Sequence, residues 1–395
     1  MNASIAAPRT MLVGGGAVAE LPGLLAKLGL ARPLVVTDPV MVSTGLLRRC
    51  LDPLERAGIQ AAVFSDTVPE PTDLVVERGV ERLEAADADC LVAFGGGSPM
   101  DTAKAMAILA EGRRANPRAR MRDFKVPHQA DQASLPVVAI PTTAGTGSEC
   151  TRFTVITDAE RDEKMLVAGL GALPLAAIVD YELTFSVPRR TTADTGVDSL
   201  THALEAYVSR RANPFSDALA VSAMALIGRH LRRAFAEPHD RDAREGMMLG
   251  ATQAGLAFSN SSVALVHGMS RPIGAHFHVP HGLSNAMLLP AVTRFSLDAA
   301  RPRYAEAARR AGMADDGDGD EAAAQALASG LVQLNRDLDV PSPRGFGIAE
   351  ADWERRLPVM AEQALASGSP ANNPRVPSAA EIVALYREVW AGAGN

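Results

Sequence analysis

The chain has 395 residues, of which 47% are hydrophobic and 22% are charged, a composition typical of a globular protein with a substantial core. Its formal net charge of −7 argues against a general role in binding nucleic acid or a membrane surface. No run approaches the roughly 18 uninterrupted apolar residues of a membrane-spanning helix. The three widely spaced cysteines predict neither a disulfide framework nor a cysteine-zinc cluster, and with no signal-peptide pattern we expect a cytoplasmic protein.

Short apolar runs alternate with helical patterns in the first half of the chain. A first strand and turn are expected at MLVGGG, and four further strands at PLVVTD (33–38), CLVAF (90–94), LPVVAIP (135–141) and AAIVD (176–180). Amphipathic patterns predict helices over 43–58 and 75–88. This alternation predicts a parallel sheet covered by helices.

Strand-like runs largely disappear after about Pro188, and helical patterns dominate the rest of the chain. We therefore predict an α/β domain over 1–187 and a helical domain over 188–395, with a cleft between them that would favour a binding site. The acidic segment 313–324 resembles a calcium loop but lacks the closing Glu at the twelfth position. It is interpreted as a solvated loop that leads into a helix.

The segment GGGSPMDTAK (95–104) follows a predicted strand and opens a predicted helix. Ser98 is expected to cap this helix, with Pro99 at its first position and Asp101 at its third. The glycines allow a ligand to approach the backbone, and the helix N-terminus favours an anion such as a pyrophosphate. The alternative is a tight turn that only connects strand to helix.

A second polar loop, PTTAGTGSE (141–149), follows the next predicted strand. Thr142, Thr143 and Thr146 are small hydroxyl donors that suit phosphate or ribose, although a loop with capping hydroxyls would look the same. Two such loops at the ends of neighbouring parallel strands favour dinucleotide binding.

Asp38 closes the predicted strand 33–38. A carboxylate there can bind the adenosine ribose 2′-hydroxyl and repel a 2′-phosphate, which favours NAD over NADP. The alternative is that Asp38 caps a helix beginning at Pro39. The spacing G-x-G-x-x-G of the standard dinucleotide fingerprint does not occur.

Asp198 and His202 are four residues apart in a helical pattern, which puts both on one face. This pair predicts either two metal ligands or a buried hydrogen-bonded pair. His267 lies in an apolar helical run, where a histidine without a partner is costly, and His281 stands at a predicted helix start.

Three imidazoles and one carboxylate form a reasonable ligand set for Fe²⁺ or Zn²⁺. Spacing alone does not show that the four side chains converge. His276 and His278 are further candidates as ligands, proton relays or surface residues.

Taken together, these motifs resemble the iron-containing (group III) alcohol dehydrogenase family along nearly the whole chain. The segments that carry the resemblance are VPEPT (68–72), GGGSPMDTAK, PTTAGTGSE, VITD (155–158), AIVD, TGVDSLTHALEAY, GLAFSNSS (255–262), VHGM and VPHGLSNAMLLP. It implies an N-terminal α/β nucleotide-binding domain with a parallel sheet and an all-helical C-terminal domain, the dehydroquinate synthase-like architecture.

The resemblance also assigns residues. The metal ligands match Asp198, His202, His267 and His281. The cofactor loops match Gly95, Gly96, Gly97, Ser98, Thr142, Thr143 and Thr146, to which the adjacent Asp101 is added, and Asp38 matches the acidic ribose position. Phe258 matches an aromatic residue that lines the substrate region, where Arg271 and His276 are also expected.

Arg271 departs from the pattern, because many members carry a histidine there, often assigned to the proton path. Arginine cannot act as a base near neutral pH. Its guanidinium would suit a carboxylate or phosphonate on the substrate. The alternative is an internal ion pair or a role in closing the domain cleft. His267, Arg271 and His281 are the residues expected to take part in catalysis.

The expected reaction is reversible hydride transfer between a small primary alcohol, with a hydroxy acid as one candidate, and NAD. The expected metal is Fe²⁺, with Zn²⁺ as the alternative, and the expected assembly is a homodimer or larger homo-oligomer. Two other enzymes stay open: a hydroxyacid–oxoacid transhydrogenase that retains its nicotinamide, and a metal- and NAD-dependent lyase of the dehydroquinate synthase kind. A non-catalytic protein is disfavoured because both loops and all four ligands are present.

Overall fold

The computed structural model describes residues 3–161 and 163–392. These residues form two compact units, one of residues 5–186 and one of residues 187–392 with residues 3 and 4. Across the described ranges, none of the helices combines the length and the apolar character needed to cross a membrane.

The first unit is built on a six-stranded parallel sheet with strand order β1-β8-β5-β4-β2-β3. Its strands are β1 (Thr10–Val13), β2 (Pro33–Val36), β3 (Ala62–Phe64), β4 (Cys90–Gly95), β5 (Val137–Pro141) and β8 (Ala176–Val179). The central strands are buried along their whole length, which explains their continuous apolar sequences. Two further strands, β6 (Phe153–Asp158) and β7 (Glu163–Ala168), form a separate antiparallel pair.

Helices of the first unit supply the apolar surfaces that cover the sheet. They are α1 (Leu21–Leu28), α2 (Pro39–Ser43), α3 (Arg48–Arg56), α4 (Asp73–Ala85) and α5 (Gly97–Ala115). Alternate residues of β4 enter two different cores: Leu91 packs with α4 and α5, and Val92 packs with α1 and α3. The predicted parallel sheet with flanking helices is thus confirmed.

One detail of the sequence prediction was wrong, and two strand features were missed. The helix predicted over 43–58 is broken at Gly45, whose φ of +75° favours glycine, so that α2 ends before it and α3 begins after it. Strand β3 was not predicted because it has only three residues, two of them half-buried. The β6–β7 pair was missed because its residues alternate between buried and accessible positions and lack the continuous apolar run of the main sheet.

The sheet order brings the predicted cofactor residues to one edge. Strand β3 lies on one side of β2, and β4, the next strand along the chain, lies on the other side. The order in which strands are added to the sheet therefore reverses between β2 and β4. Asp38 follows β2, and the glycine loop 95–97 lies at the end of β4. Ligands of open parallel sheets bind at the carboxyl ends of strands beside such a reversal.

The second unit is helical throughout the ranges that the structure describes, apart from short 3-10 turns and loops. Its helices are α6 (Arg189–Val208), α7 (Pro214–Ala236), α8 (Arg241–Ser259), α9 (Leu265–Phe277), α10 (His281–Ser296), α11 (Arg301–Arg310), α12 (Asp320–Asp337), α13 (Glu350–Ala366) and α14 (Ala379–Ala391). The acidic segment is a loop that leads into α12, as predicted, and Asp318 accepts a hydrogen bond from the backbone of Asp315 within it.

Candidate functional site

Helix α5 begins two residues earlier than the sequence suggests. The helix begins at Gly97 after a glycine cap at Gly96, and no side chain caps it. The prediction that Ser98 is the cap was therefore wrong: Ser98 and Pro99 lie in the first turn, and Asp101 is the fifth helical residue. The reason is backbone geometry, since Gly95 has a φ of +148° and turns the chain without help from a side chain.

The two predicted loops lie side by side at the ends of β4 and β5. A Cβ atom at Gly97 would lie 3.1 Å from Cγ2 of Thr146, and one at Gly96 would lie 3.6 Å from Oγ1 of Thr143. The backbone N–H of Thr142 donates to the carbonyl of Gly95 over 3.0 Å. The structure thus brings glycine backbone, a helix N-terminus and threonine hydroxyls to one place, which suits a diphosphate.

Asp38 lies beside the glycine loop and also caps α2. Its Oδ1 accepts hydrogen bonds from the backbone N–H groups of Val40 and Met41, over 2.8 and 3.0 Å. Its Oδ2 lies 3.4 Å from the position of a Cβ built on Gly95. The capping role therefore occupies one oxygen and leaves the other directed at the loop, so the two interpretations of Asp38 are compatible.

Asp101, which is half-buried, and Lys104, which is buried, both contact Ser148 of the second loop. Asp101 accepts hydrogen bonds from Oγ of Ser148, over 3.0 Å, and from the backbone of Val155, over 3.1 Å. Nζ of Lys104 donates to Ser148 over 2.9 Å and to the carbonyl of Thr151 over 3.0 Å. Burial lowers the pKa of Lys104 to about 8. Oδ1 of Asp101 thus holds the second loop, and its Oδ2 holds strand β6. Lys104 belongs to the same network, a role that the sequence prediction missed.

The predicted metal ligands come from three helices of the second unit. Asp198 and His202 lie on α6, His267 on α9, and His281 is the first residue of α10. Ligand atoms of Asp198, His267 and His281 lie within 4.8 Å of one another, and Nε2 of His202 lies 3.9 Å from Oδ1 of Asp198. The side chain of His281 is 48% exposed whereas that of Asp198 is 3% exposed, so the cluster is accessible on the side of His281.

The charges in this cluster are strongly coupled. Burial opposes ionisation of Asp198, but His202, His281 and His267 outweigh it and hold the pKa of the carboxyl well below its usual range. Burial likewise lowers the pKa of His267, but Glu205 and Asp198 raise it to about 9. The cluster is therefore arranged to hold positive charge next to a buried carboxylate.

Asn285 stands among the candidate ligands, four residues after His281. Its Nδ2 donates to Oδ1 of Asp198 over 2.6 Å and lies 3.3 and 3.2 Å from Nε2 of His267 and His281. Its buried Oδ1 has no hydrogen-bond partner among the described residues. A carboxylate and imidazoles that converge on one electropositive group also fit a divalent transition metal.

Glu205 is the partner that a buried histidine in α9 requires. Its Oε2 lies 2.6 Å from Nδ1 of His267, and its side chain is 4% exposed. The sequence prediction missed this residue, although Asp198, His202 and Glu205 follow one another at spacings of four and three residues on one face of α6.

Phe258 contacts a candidate ligand, and Arg271 interacts electrostatically with Glu205. Phe258 stacks on His202 with ring centroids 4.3 Å apart. Arg271 donates from Nη1 to Oγ of Ser369 over 3.1 Å, and burial lowers its pKa while Glu205 opposes that shift.

His276 faces α13: its ring nitrogens lie 2.9 Å from Oε1 of Gln363 and 3.1 Å from Nη1 of Arg356. His278 ends α9 in the left-handed conformation and is exposed. The structure does not group either histidine with the three converging ligand atoms.

Comparison with known proteins gives two family matches. Residues 8–181 match the model "Iron-containing alcohol dehydrogenase", and residues 192–390 match the model "Fe-containing alcohol dehydrogenase family, C-terminal". Together they span nearly the whole chain, as the sequence motifs predicted.

Individual relatives agree with these models. Lactaldehyde reductase of Escherichia coli K12 is 38% identical over 96% of this chain and 98% of its own length. NAD-dependent methanol dehydrogenase of Bacillus methanolicus is 37% identical over 96% of this chain and 98% of its own length. The crystal structure of a 1,3-propanediol oxidoreductase superposes with a TM-score of 0.93 and 34% identity, covering 98% of this chain and 100% of that chain.

All three relatives are dehydrogenases, reductases or oxidoreductases of small alcohols and aldehydes, which supports that reaction over a lyase. The chain belongs to the iron-containing alcohol dehydrogenase family and is an oxidoreductase that interconverts alcohols and aldehydes with a nicotinamide cofactor.

Proposed function

We propose that Asp198, His202, His267 and His281 hold one divalent metal ion, Fe²⁺ or alternatively Zn²⁺. The convergence of ligand atoms from Asp198, His267 and His281 within 4.8 Å carries this proposal. A metal held there supplies Lewis acidity towards an alcohol oxygen. The exposure of His281 supports access of a substrate from that side, as an open coordination position in a catalytic site requires.

The cofactor of this enzyme is NAD rather than NADP. The glycine loop 95–97 and the threonines of the second loop hold its diphosphate, with Ser98 in the first turn of α5. Oδ2 of Asp38 accepts from the ribose hydroxyl and its charge disfavours a 2′-phosphate. The NAD dependence of the methanol dehydrogenase relative supports this choice.

The substrate is a small primary alcohol that carries an acid group, or the corresponding semialdehyde. Arg271 follows His267 by four residues on α9 and therefore lies on the same helical face. Its guanidinium has five N–H donors, and no carboxylate of the described residues forms an ion pair with it. The remaining donors suit a carboxylate or phosphonate in a bidentate arrangement.

A substrate panel tests this assignment. Replacing Arg271 with Met should lower kcat/KM for short semialdehyde acids about 10- to 100-fold, as expected for a charge-assisted hydrogen bond worth roughly 1.5–3 kcal/mol. Uncharged aldehydes of the same length should be affected much less. The control is Ser369→Ala, which removes the internal partner of Arg271 but leaves its charge. Equal losses on charged and uncharged aldehydes in Arg271→Met would rule out the anion contact.

A second measurement separates a simple dehydrogenase from a transhydrogenase with a retained cofactor. Alcohol oxidation by the purified enzyme should require added NAD and should produce NADH in solution. Turnover of a hydroxy acid with an oxo acid but without added nucleotide would instead assign the transhydrogenase reaction.

The protein is proposed to be a cytoplasmic homodimer or larger homo-oligomer. All three cysteines are buried and free, which fits a reducing compartment. Within the described residues, β1 pairs only with β8, and Val13 on this edge strand is 53% exposed. An edge of this kind can pair with a second chain. Light scattering coupled to size-exclusion chromatography measures the assembly directly.

A further inference from the structure

We infer that Glu205 is a positioning residue for the metal site: it keeps the Nδ1 proton on His267 and anchors the first turn of α9, so that Nε2 of His267 is the atom presented to the metal. This inference rests on the metal site proposed above. It adds a residue on α6 that organises a ligand on α9 without binding the metal itself.

The position of Glu205 joins the two helices that carry most of the ligands. It lies one turn after His202 on α6, and only 3% of the residue is exposed. Three donors from the start of α9 surround its carboxylate: the backbone N–H groups of Ala264 and Val266 and Nδ1 of His267. Each of these hydrogen bonds offsets part of the cost of moving a carboxylate out of water.

The start of α9 needs such an acceptor. Ala264 is the capping residue and provides no side-chain hydrogen bond to the free N–H groups of the first turn. Oε2 of Glu205 accepts from the N–H of Ala264 over 2.8 Å, and Oε1 accepts from the N–H of Val266 over 2.6 Å. The cap of α9 is thus supplied by α6, and its negative charge is favourable at the positive end of the helix dipole.

The same carboxylate determines which ring nitrogen of His267 is available. Oε2 lies 2.6 Å from Nδ1, and a carboxylate only accepts hydrogen bonds, so Nδ1 carries the proton. Nε2, on the other side of the ring, lies 3.5 Å from Oδ1 of Asp198, within the ligand cluster. A hydrogen bond from the nonligating nitrogen of a histidine fixes the orientation of the ring and strengthens metal binding.

Glutamine cannot reproduce this arrangement, although it has nearly the same shape. Its amide offers one acceptor oxygen where Glu205 uses two. In either orientation the amide NH₂ group would face a donor at the start of α9, either the N–H of Val266 or that of Ala264 beside Nδ1 of His267. Glu205→Gln is therefore a sharp test of the carboxylate.

The test is the affinity for Zn²⁺ of metal-stripped protein, measured by competition with a chromophoric chelator. Glu205→Gln should weaken Zn²⁺ binding about 10- to 100-fold, the usual effect of losing a partner of a metal-bound histidine. The matched control is Asn213→Ala, which removes a buried cap from α7 in the same unit. This control should lower the melting temperature but leave Zn²⁺ affinity unchanged.

A second measurement on the wild type avoids dependence on a variant that fails to fold. Protein labelled with ¹⁵N-histidine and loaded with Zn²⁺ should show a protonated Nδ1 for His267, assigned by the signal lost in His267→Asn. Unchanged Zn²⁺ affinity in Glu205→Gln, or an unprotonated Nδ1 in the wild type, would overturn the role of Glu205. Zn²⁺ binding that survives Asp198→Asn at wild-type strength would instead overturn the metal site itself.

Discussion

His202 stacks on Phe258, with ring centroids 4.3 Å apart and ring planes inclined by 17°. His202 also stacks on His267 at 4.5 Å, so two rings fix its orientation in a site where it is 5% exposed. Phe258 therefore helps to orient a candidate metal ligand, in addition to the substrate contact that the family resemblance implies.

Replacing Phe258 with Ala should weaken metal binding about 2- to 10-fold, because an aromatic pair of this kind contributes roughly 0.5–1.5 kcal/mol. Phe258→Leu should lie between the wild type and the alanine variant, since it keeps apolar contact without ring stacking. Chelator competition measures the metal affinity, and steady-state kinetics measure the KM for alcohol. An unchanged metal affinity with a raised KM would assign Phe258 to the substrate alone.

Gly96→Ala should lower the affinity for NAD at least about tenfold without unfolding the protein. The added methyl group should keep a bound diphosphate from approaching the backbone closely. The reason is local: a Cβ at Gly96 meets only Thr143, at 3.6 Å, and its φ does not require glycine. Gly23→Ala is the control, because a Cβ there has nothing within 4 Å. Isothermal titration with NAD and thermal melting are the measurements, and normal NAD affinity in Gly96→Ala would exclude a diphosphate from this loop.

Asp38→Asn separates the two functions of that side chain. Asparagine keeps an oxygen that can accept from Val40 and Met41, so the cap of α2 should survive. It loses the negative charge that disfavours a 2′-phosphate, so the ratio of kcat/KM for NADP to that for NAD should rise. Kinetics with both cofactors measure this ratio, and a ratio equal to that of the wild type would leave Asp38 with the cap alone.

The buried amine of Lys104 should make the free energy of unfolding increase with pH. Its pKa in the folded chain is about 8, below the ordinary value of 10.5. Below a pH of about 8 the amine is charged in both the folded and the unfolded chain, so the full cost of burying a charged amine lowers the free energy of unfolding. Between the two values the folded amine is neutral while the unfolded one still binds a proton, so the free energy of unfolding increases as pH rises.

The measurement is urea unfolding of the wild type, Lys104→Met and Lys27→Met. The advantage of the wild type over Lys104→Met should grow by about 2–3 kcal/mol between about pH 7 and about pH 10. Lys27 is exposed, so the corresponding difference for Lys27→Met should stay flat. A flat difference for Lys104→Met as well would show that the buried amine is not perturbed.

The sequence predicts the parallel sheet and the helical second half because buried strands and amphipathic helices leave periodic apolar patterns. It predicts less well where backbone geometry replaces a side-chain signal, as at Gly95, where φ moves the start of α5 ahead of Ser98. Short or half-exposed strands such as β3 and β6 leave no continuous apolar run.

Candidate site residues differ in the same way. Asp198 and His202 can be paired from their spacing. The packing of α9 and α10 against α6 is a tertiary contact that the spacing of residues does not predict. Glu205 and Lys104 were missed because charged residues in helices normally face solvent, and only the structure shows their buried partners.

The central claim is that the cluster around Asp198 holds the metal on which turnover depends. The most direct test is the metal content and alcohol oxidation of the wild type and Asp198→Asn, before and after chelation and after addition of Fe²⁺ or Zn²⁺. The wild type should bind a single ion per chain, lose activity on chelation and regain it with metal, whereas Asp198→Asn should do none of these. Full alcohol oxidation by chelated, metal-free wild type would contradict the claim.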